Sequence, residues 1–223
     1  MDTEAMLSEL NIRRARLDDI PVLEEVIPLA YRVLGAGHFS PQQIESGLEF
    51  IVGVDTQMIE DGTYYVAEID GELVGGGGWC KRTKLFGGDQ IRKAGDEEWL
   101  DPARHPAGIR GFFVHPKWAR RGIGRRLLET CEAEARKANF RALELVATPM
   151  GEPLYAGFGF AVIERLQFRF PDGVVAPAAR MLKPLRGAQD PLLEQRTAFV
   201  TQWPAQGGAN LELNKGFLRE RYR

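Results

Sequence analysis

The 223-residue sequence is poor in residues that hold disulfides or metals, with two cysteines, Cys80 and Cys131, and three histidines. Two cysteines cannot form a disulfide-dense framework, and no CxxC, HExxH or mixed Cys/His spacing typical of a zinc site occurs. No apolar run approaches the roughly 18 residues that a membrane span requires, and the amino terminus lacks the basic and apolar regions of a secretion signal. We therefore expect a reduced, metal-free cytoplasmic protein that does not bind membranes.

The sequence also lacks an excess of positive or of negative charge. The 29 Lys and Arg residues nearly balance 31 Asp and Glu residues, which gives a formal net charge of -2. This balance argues against a general affinity for polyanions, and the 44% hydrophobic content excludes a wholly disordered chain. The length predicts one large domain or a domain with an appendage.

The hydrophobic pattern predicts a mixed α/β domain. β-Rich segments, two of them hairpins that turn at Asp70-Gly71 and at residues 171–173, alternate with amphipathic segments of helical period. An aspartate at 18 or 19 and Ser40 are predicted to cap the first two helices. The predicted strands are 10–17, 63–69, 72–74, 109–114, 142–147, 160–170 and 174–182, and the predicted helices are 20–34, 40–51, 121–138 and 152–156.

The composition changes after Pro184, where prolines and glycines interrupt the pattern. We predict a domain over residues 1–186 and an appendage over residues 187–223 with one helix near 190–202. The apolar spacing of Leu192, Leu193, Phe199 and Val200 in the appendage supports the hypothesis of a homodimer contact.

The most informative segment is 114–128, in which a strand is followed by a basic, glycine-containing turn and then an amphipathic helix. Such a turn presents unpaired N–H groups and the positive end of the helix dipole at one point, where a phosphate can bind. Residues 117–137 carry seven cations and three glutamates, a local balance of +4. The alternative is a helix start with a solvated basic face.

Other anion-binding motifs do not fit this segment. The chain has no G-x-x-x-x-G-K-[ST] loop, and Leu127 stands where the dinucleotide motif has its third glycine. A nucleic-acid surface would interleave aromatic residues with the basic ones, and here the aromatic residues lie elsewhere.

The segment resembles motif A of the GCN5-related N-acetyltransferase superfamily, a V-x-P-x-x-[Q/R]-x-x-G-x-[G/A] pattern followed by a helix. Val114, Pro116, Gly122 and Gly124 match it, and Ala119 stands where the family usually has Gln or Arg. A second segment resembles motif B, which ends in Y-x-x-x-G-F, through Tyr155, Gly159 and Phe160. The resemblance covers residues 10–184.

The resemblance implies a twisted, mostly antiparallel sheet of about seven strands with helices on both faces. Acetyl-CoA, as co-substrate, would enter where the parallel strands 109–114 and 142–147 splay apart, and its acetyl group would pass to a primary amine by direct attack. A backbone N–H near Val114 would hold the carbonyl oxygen, and Tyr155 would protonate the thiolate. The implied coenzyme contacts are Phe112, Phe113, Val114, Ala119, Arg120, Arg121, Gly122, Ile123, Gly124, Arg125 and Thr148, the last standing where the family often has Asn.

Several points stay open at this stage. The amine acceptor is a small molecule or a peptide of unidentified structure, because the charges of the loop 83–108 favour neither acidic nor basic amines. A non-catalytic CoA-binding or regulatory module, and a weaker nucleic-acid surface built on the arginines, remain alternatives.

Further residues are candidates for proton transfer, for a bulge or for an acceptor pocket. Water relayed to His105, Asp101 or Glu98 is the hypothesis for the proton acceptor. His115 is interpreted as a surface residue and the glycine run 75–78 as a bulge, and three aromatic residues have an acceptor pocket or anchoring as competing roles: Trp79, Phe86 and Trp99.

Overall fold

A computed structural model describes residues 9–91 and 98–185, together with the backbone of residues 209–212. The described strands form one mixed sheet in the order β1-β2-β3-β4-β5-β7-β6-β8. Their bounds are β1 (Asn11–Arg14), β2 (Tyr64–Ile69), β3 (Glu72–Cys80), β4 (Ala107–Val114), β5 (Ala142–Ala147), β6 (Ala161–Arg169), β7 (Val175–Pro184) and β8 (Ala209–Glu212). The helices are α1 (Ile20–Gly35), α2 (Pro41–Phe50), α3 (Thr56–Glu60), α4 (Ile123–Lys137) and α5 (Glu152–Gly157).

The first seven strands confirm the predicted sheet, and both hairpins form at the predicted turns. The eighth strand comes from the predicted appendage, where residues 209–212 pair in parallel with β6. The helix predicted near 190–202 lies outside the described residues, and the domain boundary at residue 186 stays a prediction.

Local chemistry explains where the first two helices begin. Ser40 and Gln43 form a reciprocal capping box at the start of α2, as the serine predicted. Asp19 precedes α1, but its carboxylate makes no capping bond to the helix. It accepts two hydrogen bonds of 2.8 Å from Arg13 instead, so it ties the start of α1 to β1.

Helices cover both faces of the sheet. On one face, α4 buries Leu127, Leu128 and Cys131 in a core that includes Leu143 and Leu145 of β5. On the other face, residues of α1 and α3 pack against alternate residues of β2, and α2 packs on the β6–β7 hairpin. The sheet is therefore the central layer, and both of its faces are available to build a site.

The parallel strands β4 and β5 pair over only two positions, Ala107 with Leu143 and Gly108 with Glu144. Beyond these pairs β5 continues to pair with β7, and β4 continues to pair with β3. The two central strands therefore separate, as predicted, and we call the gap beyond Gly108 and Glu144 the split.

The glycine run of β3 accompanies a bulge in β4. Gly78 pairs with Arg110 and Gly76 with Phe113, so two residues of β4 lie opposite Gly77 alone. A Cβ atom on Gly77 would lie 2.5 Å from the ring of Phe112, and one on Gly76 would lie 2.6 Å from the ring of Phe113. The bulge interpretation is confirmed, and the glycines also make room for two aromatic rings.

Candidate functional site

A turn of left-handed residues connects β4 to α4 at the open end of the split. Arg120 has φ +64° and Gly122 has φ +88°, and α4 begins at Ile123. The first hydrogen bond of the helix joins the Arg126 N–H to the Gly122 carbonyl at 3.1 Å. Earlier amides therefore have no partner within the helix, and together with the helix dipole they are able to bind an anion. We call residues 120–125, after this expected role, the phosphate-binding turn.

The cations of this region divide into two groups. Arg125 and Arg126 lie within 3.2 Å and 3.6 Å of Glu129, which neutralises part of their charge. Lys117 and Arg121 lie about the ring of Trp118, 5.3 Å and 5.2 Å from its centroid, and form no ion pair with a described residue. A positive charge therefore stands beside the phosphate-binding turn.

The edge of β4 that faces the split carries backbone groups without a strand partner. The His115 N–H donates to the Val74 carbonyl at 2.8 Å, so this group points toward β3. Peptide groups alternate between the two edges of a strand. The Val114 amide therefore points into the split, whereas that of Phe113 points toward β3. Phe112 lies in the bulge, but the carbonyl of its own peptide accepts a hydrogen bond from Tyr64 on the β3 side, so the Phe112 amide also points into the split.

Tyr155 lies on α5, directly across the split from Phe112. The two rings meet edge to face with centroids 6.2 Å apart, and Tyr155 makes a similar contact with Phe160 at 6.0 Å. Burial raises the pKa of the Tyr155 hydroxyl, so the phenol keeps its proton at neutral pH. No hydrogen bond joins this hydroxyl to a described residue.

Thr148 follows β5 and lies close to Tyr155. A Cβ atom on Gly151 would lie 3.4 Å from the Thr148 hydroxyl oxygen and 3.1 Å from the Tyr155 ring, so the two residues flank Gly151. The structure thus brings Phe112, Val114, Thr148 and Tyr155 to the same end of the sheet as the phosphate-binding turn.

Gly124 has a packing role in addition to the one its motif suggests. A Cβ atom at this position would lie 3.0 Å from Leu154 of α5 and 3.9 Å from Val114. The missing side chain therefore permits close packing of α4 on α5 and β4. Its place in the phosphate-binding turn stays a prediction.

The residues considered for proton transfer lie at the other end of β4. His105 accepts a hydrogen bond from the Asp101 N–H at 3.0 Å, and Glu98 precedes both. Phe112 stands seven positions after His105, a span of at most ~23 Å at ~3.3 Å per residue, so the two lie toward opposite ends of β4. His115 accepts a hydrogen bond from the Lys117 N–H at 3.2 Å and shapes the turn after β4.

The three aromatic residues considered for an acceptor pocket are spread over the molecule. Trp79 is buried in the core beside Phe140. Phe86 anchors its loop on Phe168 of β6, and Trp99 is 58% exposed beneath Lys81 and Arg82. Core packing and loop anchoring therefore account for all three.

The sequence interpretation missed two buried charges near the split. Glu144, 1% exposed, stands at the last position where β5 pairs with β4, and it accepts a hydrogen bond from Arg180 of β7. Arg110 precedes the bulge of β4 and lies 2.9 Å from Asp55. A charged residue inside an apolar strand is the signal that marks both in the sequence.

The described ranges hold neither a cluster of metal ligands nor a membrane-spanning helix, and their cysteines form no disulfide. These ranges contain no cluster of three or more His, Cys, Asp or Glu side chains that could hold a metal ion. None of their helices is long and apolar enough to span a membrane. Cys80 and Cys131 are buried free thiols.

Comparison with protein-family models matches residues 31–160 to the acetyltransferase (GNAT) family. A search of curated protein sequences returned no significant match. Solved structures share the fold at low sequence identity. A GCN5-related N-acetyltransferase from Rhodopseudomonas palustris has a TM-score of 0.58 and 19% identity, over 78% of this chain and 95% of that one.

Two further solved structures hold a coenzyme. The PaiA N-acetyltransferase of Thermoplasma acidophilum, in complex with coenzyme A, has a TM-score of 0.54 and 16% identity over 79% of this chain and 99% of that one. The YncA protein of Salmonella typhimurium, with acetyl-CoA, has a TM-score of 0.54 and 18% identity over 82% and 98%.

Proposed function

This chain belongs to the acetyltransferase (GNAT) family, and we propose that it transfers the acetyl group of acetyl-CoA to a primary amine by direct attack of the amine. The observation that carries the proposal is the conjunction of the phosphate-binding turn with the unpaired amides of Phe112 and Val114 along the split. A coenzyme needs both, because its diphosphate is an anion and its arm carries amide groups.

The coenzyme position follows from these two features. The diphosphate of acetyl-CoA binds the amides of residues 120–125, with Lys117 and Arg121 nearby as cations. The arm then follows the free edge of β4, where the Val114 and Phe112 peptide groups can pair with its amides as a strand would. The thioester thereby comes to lie between Phe112 and Tyr155.

The reaction forms a C–N bond and breaks the C–S bond. The amine attacks the thioester carbon, and a backbone N–H on the free edge of β4 stabilises the oxyanion that develops. The departing thiolate takes the proton of the Tyr155 hydroxyl, and the proton lost by the amine passes to water. Burial of Tyr155 supports this role because the phenol stays protonated until the thiolate forms.

The acceptor class, location and assembly extend this proposal. We infer a small-molecule or peptide amine as acceptor and a cytoplasmic location, which the free thiols Cys80 and Cys131 support. We also infer a homodimer contact through the appendage, on the apolar residues of its sequence.

Release of free thiol from acetyl-CoA tests the activity. The chain is incubated with acetyl-CoA and a panel of amino acids, polyamines and peptides with free amino termini, and thiol release is compared with an amine-free control. Thiol release above that control, with an acetylated product identified by mass, supports the proposal. Coenzyme binding without thiol release for any amine supports the non-catalytic CoA-binding module instead, and absence of coenzyme binding contradicts both.

A further inference from the structure

The bulge of β4 is held by a tyrosine from two strands away. The Tyr64 hydroxyl, on β2, donates a hydrogen bond of 2.8 Å to the Gly111 carbonyl. Gly111 has φ +70°, and a Cβ atom on it would lie 2.8 Å from the Tyr64 ring. The tyrosine thus occupies the space that a side chain at position 111 would need.

The glycine run of β3 allows this contact. Tyr64 pairs with Gly78 across the β2–β3 ladder, and β3 lies between Tyr64 and β4. A Cβ atom on Gly76 would lie 3.2 Å from the Tyr64 hydroxyl, and one on Gly78 would lie 3.1 Å from its Cα. The missing side chains therefore leave a path over β3 along which the phenol reaches the bulge.

The carbonyl that Tyr64 binds belongs to the same peptide unit as the Phe112 N–H. A trans peptide is planar, and its C=O and N–H point in opposite directions; none of the described peptide bonds is cis. Because the Gly111 carbonyl points to the Tyr64 side, the Phe112 N–H points into the split. The neighbouring Val114 N–H, placed by alternation from His115, points to the same side.

We propose that Tyr64 is a positioning residue that, through the Gly111–Phe112 peptide, aims and polarises the Phe112 N–H toward the thioester carbonyl oxygen. The inference rests on the proposed function and assigns the oxyanion contact to one amide. A hydrogen bond accepted by the carbonyl of a peptide strengthens its N–H as a donor. Tyr64 is 3% exposed, so its ring is held in place beneath the bulge.

Neighbouring contacts make the peptide rigid. Arg110, the residue before Gly111, lies 2.9 Å from both Asp55 and the Met58 sulfur. Burial raises the pKa of Tyr64, which keeps its hydroxyl a donor at neutral pH. The Phe112 N–H is therefore oriented before any substrate binds.

Tyr64→Phe removes the hydroxyl and keeps the ring, and Tyr65→Phe is its matched control. Tyr65 is the next residue of β2, is also buried and lies on the opposite face of the sheet. We expect Tyr64→Phe to lower kcat about tenfold or more, with CoA affinity and KM for the amine within twofold of wild type. Tyr65→Phe should leave kcat within twofold of wild type.

The carbonyl stretch of bound acetyl-CoA shows whether Tyr64 orients the Phe112 N–H or only supports the fold. In wild type, the carbonyl stretch of bound acetyl-CoA labelled with carbon-13 should lie below its frequency in water, and in Tyr64→Phe it should return toward that frequency. Should Tyr64→Phe fail to fold, 3-fluorotyrosine at position 64, a stronger donor of nearly the same shape, should lower the frequency further.

The outcomes separate this inference from the proposed function. A wild type that neither binds nor consumes acetyl-CoA contradicts the proposed function. An active wild type with a lowered carbonyl frequency that is unchanged in Tyr64→Phe, or unchanged on fluorination, overturns the role of Tyr64 and leaves the acetyl transfer standing.

Discussion

Tyr155 illustrates at the scale of one residue how burial sets both the protonation and the strength of an acid. Its raised pKa keeps the proton on the phenol at neutral pH, and it also makes the phenol a weaker acid than free tyrosine. A thiolate that develops next to the hydroxyl offsets this loss of acid strength, because the thiolate is the base that accepts the proton.

Replacing Tyr155 by Phe keeps the ring contacts with Phe112 and Phe160 and removes the proton. We expect kcat to fall ~10²–10⁴-fold, the usual value of a general acid, while coenzyme affinity changes little. Steady-state kinetics with the true acceptor and calorimetric titration of CoA measure the two quantities.

Tyr31→Phe is the matched control. Burial raises the pKa of Tyr31 to about 12, and its ring packs on Phe39 away from the split. Its loss should leave kcat unchanged. Wild-type turnover in Tyr155→Phe, with chemistry rate-limiting, would show that Tyr155 only packs.

Asp19 ties β1 to α1 through Arg13, and this contact predicts a pH dependence of stability. Hydrogen bonds from Arg13 lower the pKa of Asp19 below its ordinary value of 3.8. The contribution to stability is therefore complete above pH ~5 and is lost as the pH falls through 3.8 and then through the lower folded value.

Asp19→Asn removes that dependence. We expect the variant to be less stable than wild type at pH 7 by about 1 kcal/mol, the size of a hydrogen bond to a charged group after a discount for its partial exposure to solvent. The difference should shrink as the pH approaches 2, as measured by urea unfolding at each pH. A difference that stays constant over this range would exclude the Asp19 carboxylate as its source.

Single residues of the site could be predicted only where their surroundings are local in sequence. Gly122, whose φ is +88°, follows from the turn that precedes the helix. The role of Gly124 depends on Leu154, thirty positions later, and that of Tyr64 on Gly111, 47 positions later. No pattern within one segment contains such contacts, so sequence reasoning missed Tyr64 and the packing role of Gly124.

At the scale of elements, the two glycines at the junction of β4 and α4 meet different requirements. Gly124 leaves room for Leu154, and Gly122 supplies a backbone conformation. Gly122 needs a left-handed φ that an L side chain adopts at a cost of roughly 1–2 kcal/mol. A shift of this residue toward negative φ would turn the neighbouring amides away from the diphosphate.

Gly122→Ala should therefore weaken CoA binding about tenfold or more, which corresponds to the loss of about one charge-assisted hydrogen bond. Gly173→Ala is the matched control, because Gly173 has φ +87° and lies in the β6–β7 turn with open space around its Cβ position. Both variants carry the same backbone strain. Calorimetry that shows equal CoA affinities for the two would contradict the anion-binding role of the 120–125 turn.

Elements stabilised by neighbours in sequence were predictable, and their relations across the sheet were not. The Asp70-Gly71 hairpin and the Ser40 helix cap both formed as predicted. The split depends on β7, which pairs with β5 although β6 precedes it in the chain. The splayed pair of parallel strands therefore came from the family resemblance, and the order of the other strands was not predicted, since the periodicity of each strand says nothing about its neighbour.

At the scale of the whole molecule, the described site is contained in β4, α4 and the β5–α5 segment, between residues 107 and 160. The appendage contributes β8, which pairs in parallel with residues 166–169 of β6 at the edge of the sheet. The proposed coenzyme site and the proposed dimer contact therefore lie in separate parts of the chain, and we expect each to change without the other.

Removal of residues 187–223 tests the assembly. We expect a wild-type chain that is dimeric in solution to become monomeric on truncation, while its CoA affinity stays within about twofold, because the phosphate-binding turn and the split are retained. Light scattering coupled to size exclusion gives the mass, and calorimetry gives the affinity. Truncation also exposes the β6 edge, whose unpaired groups favour aggregation.

A milder variant keeps β8 and so isolates the apolar contact. Leu192, Leu193 and Phe199 are each replaced by Ser, which removes apolar surface and retains residues 209–212. Burial of apolar side chains of this size is worth about 1.5–3 kcal/mol each, so their loss at a symmetric contact should raise the dimer dissociation constant by orders of magnitude. An unchanged mass in both the truncated chain and the serine variant would show that the appendage does not hold the dimer together.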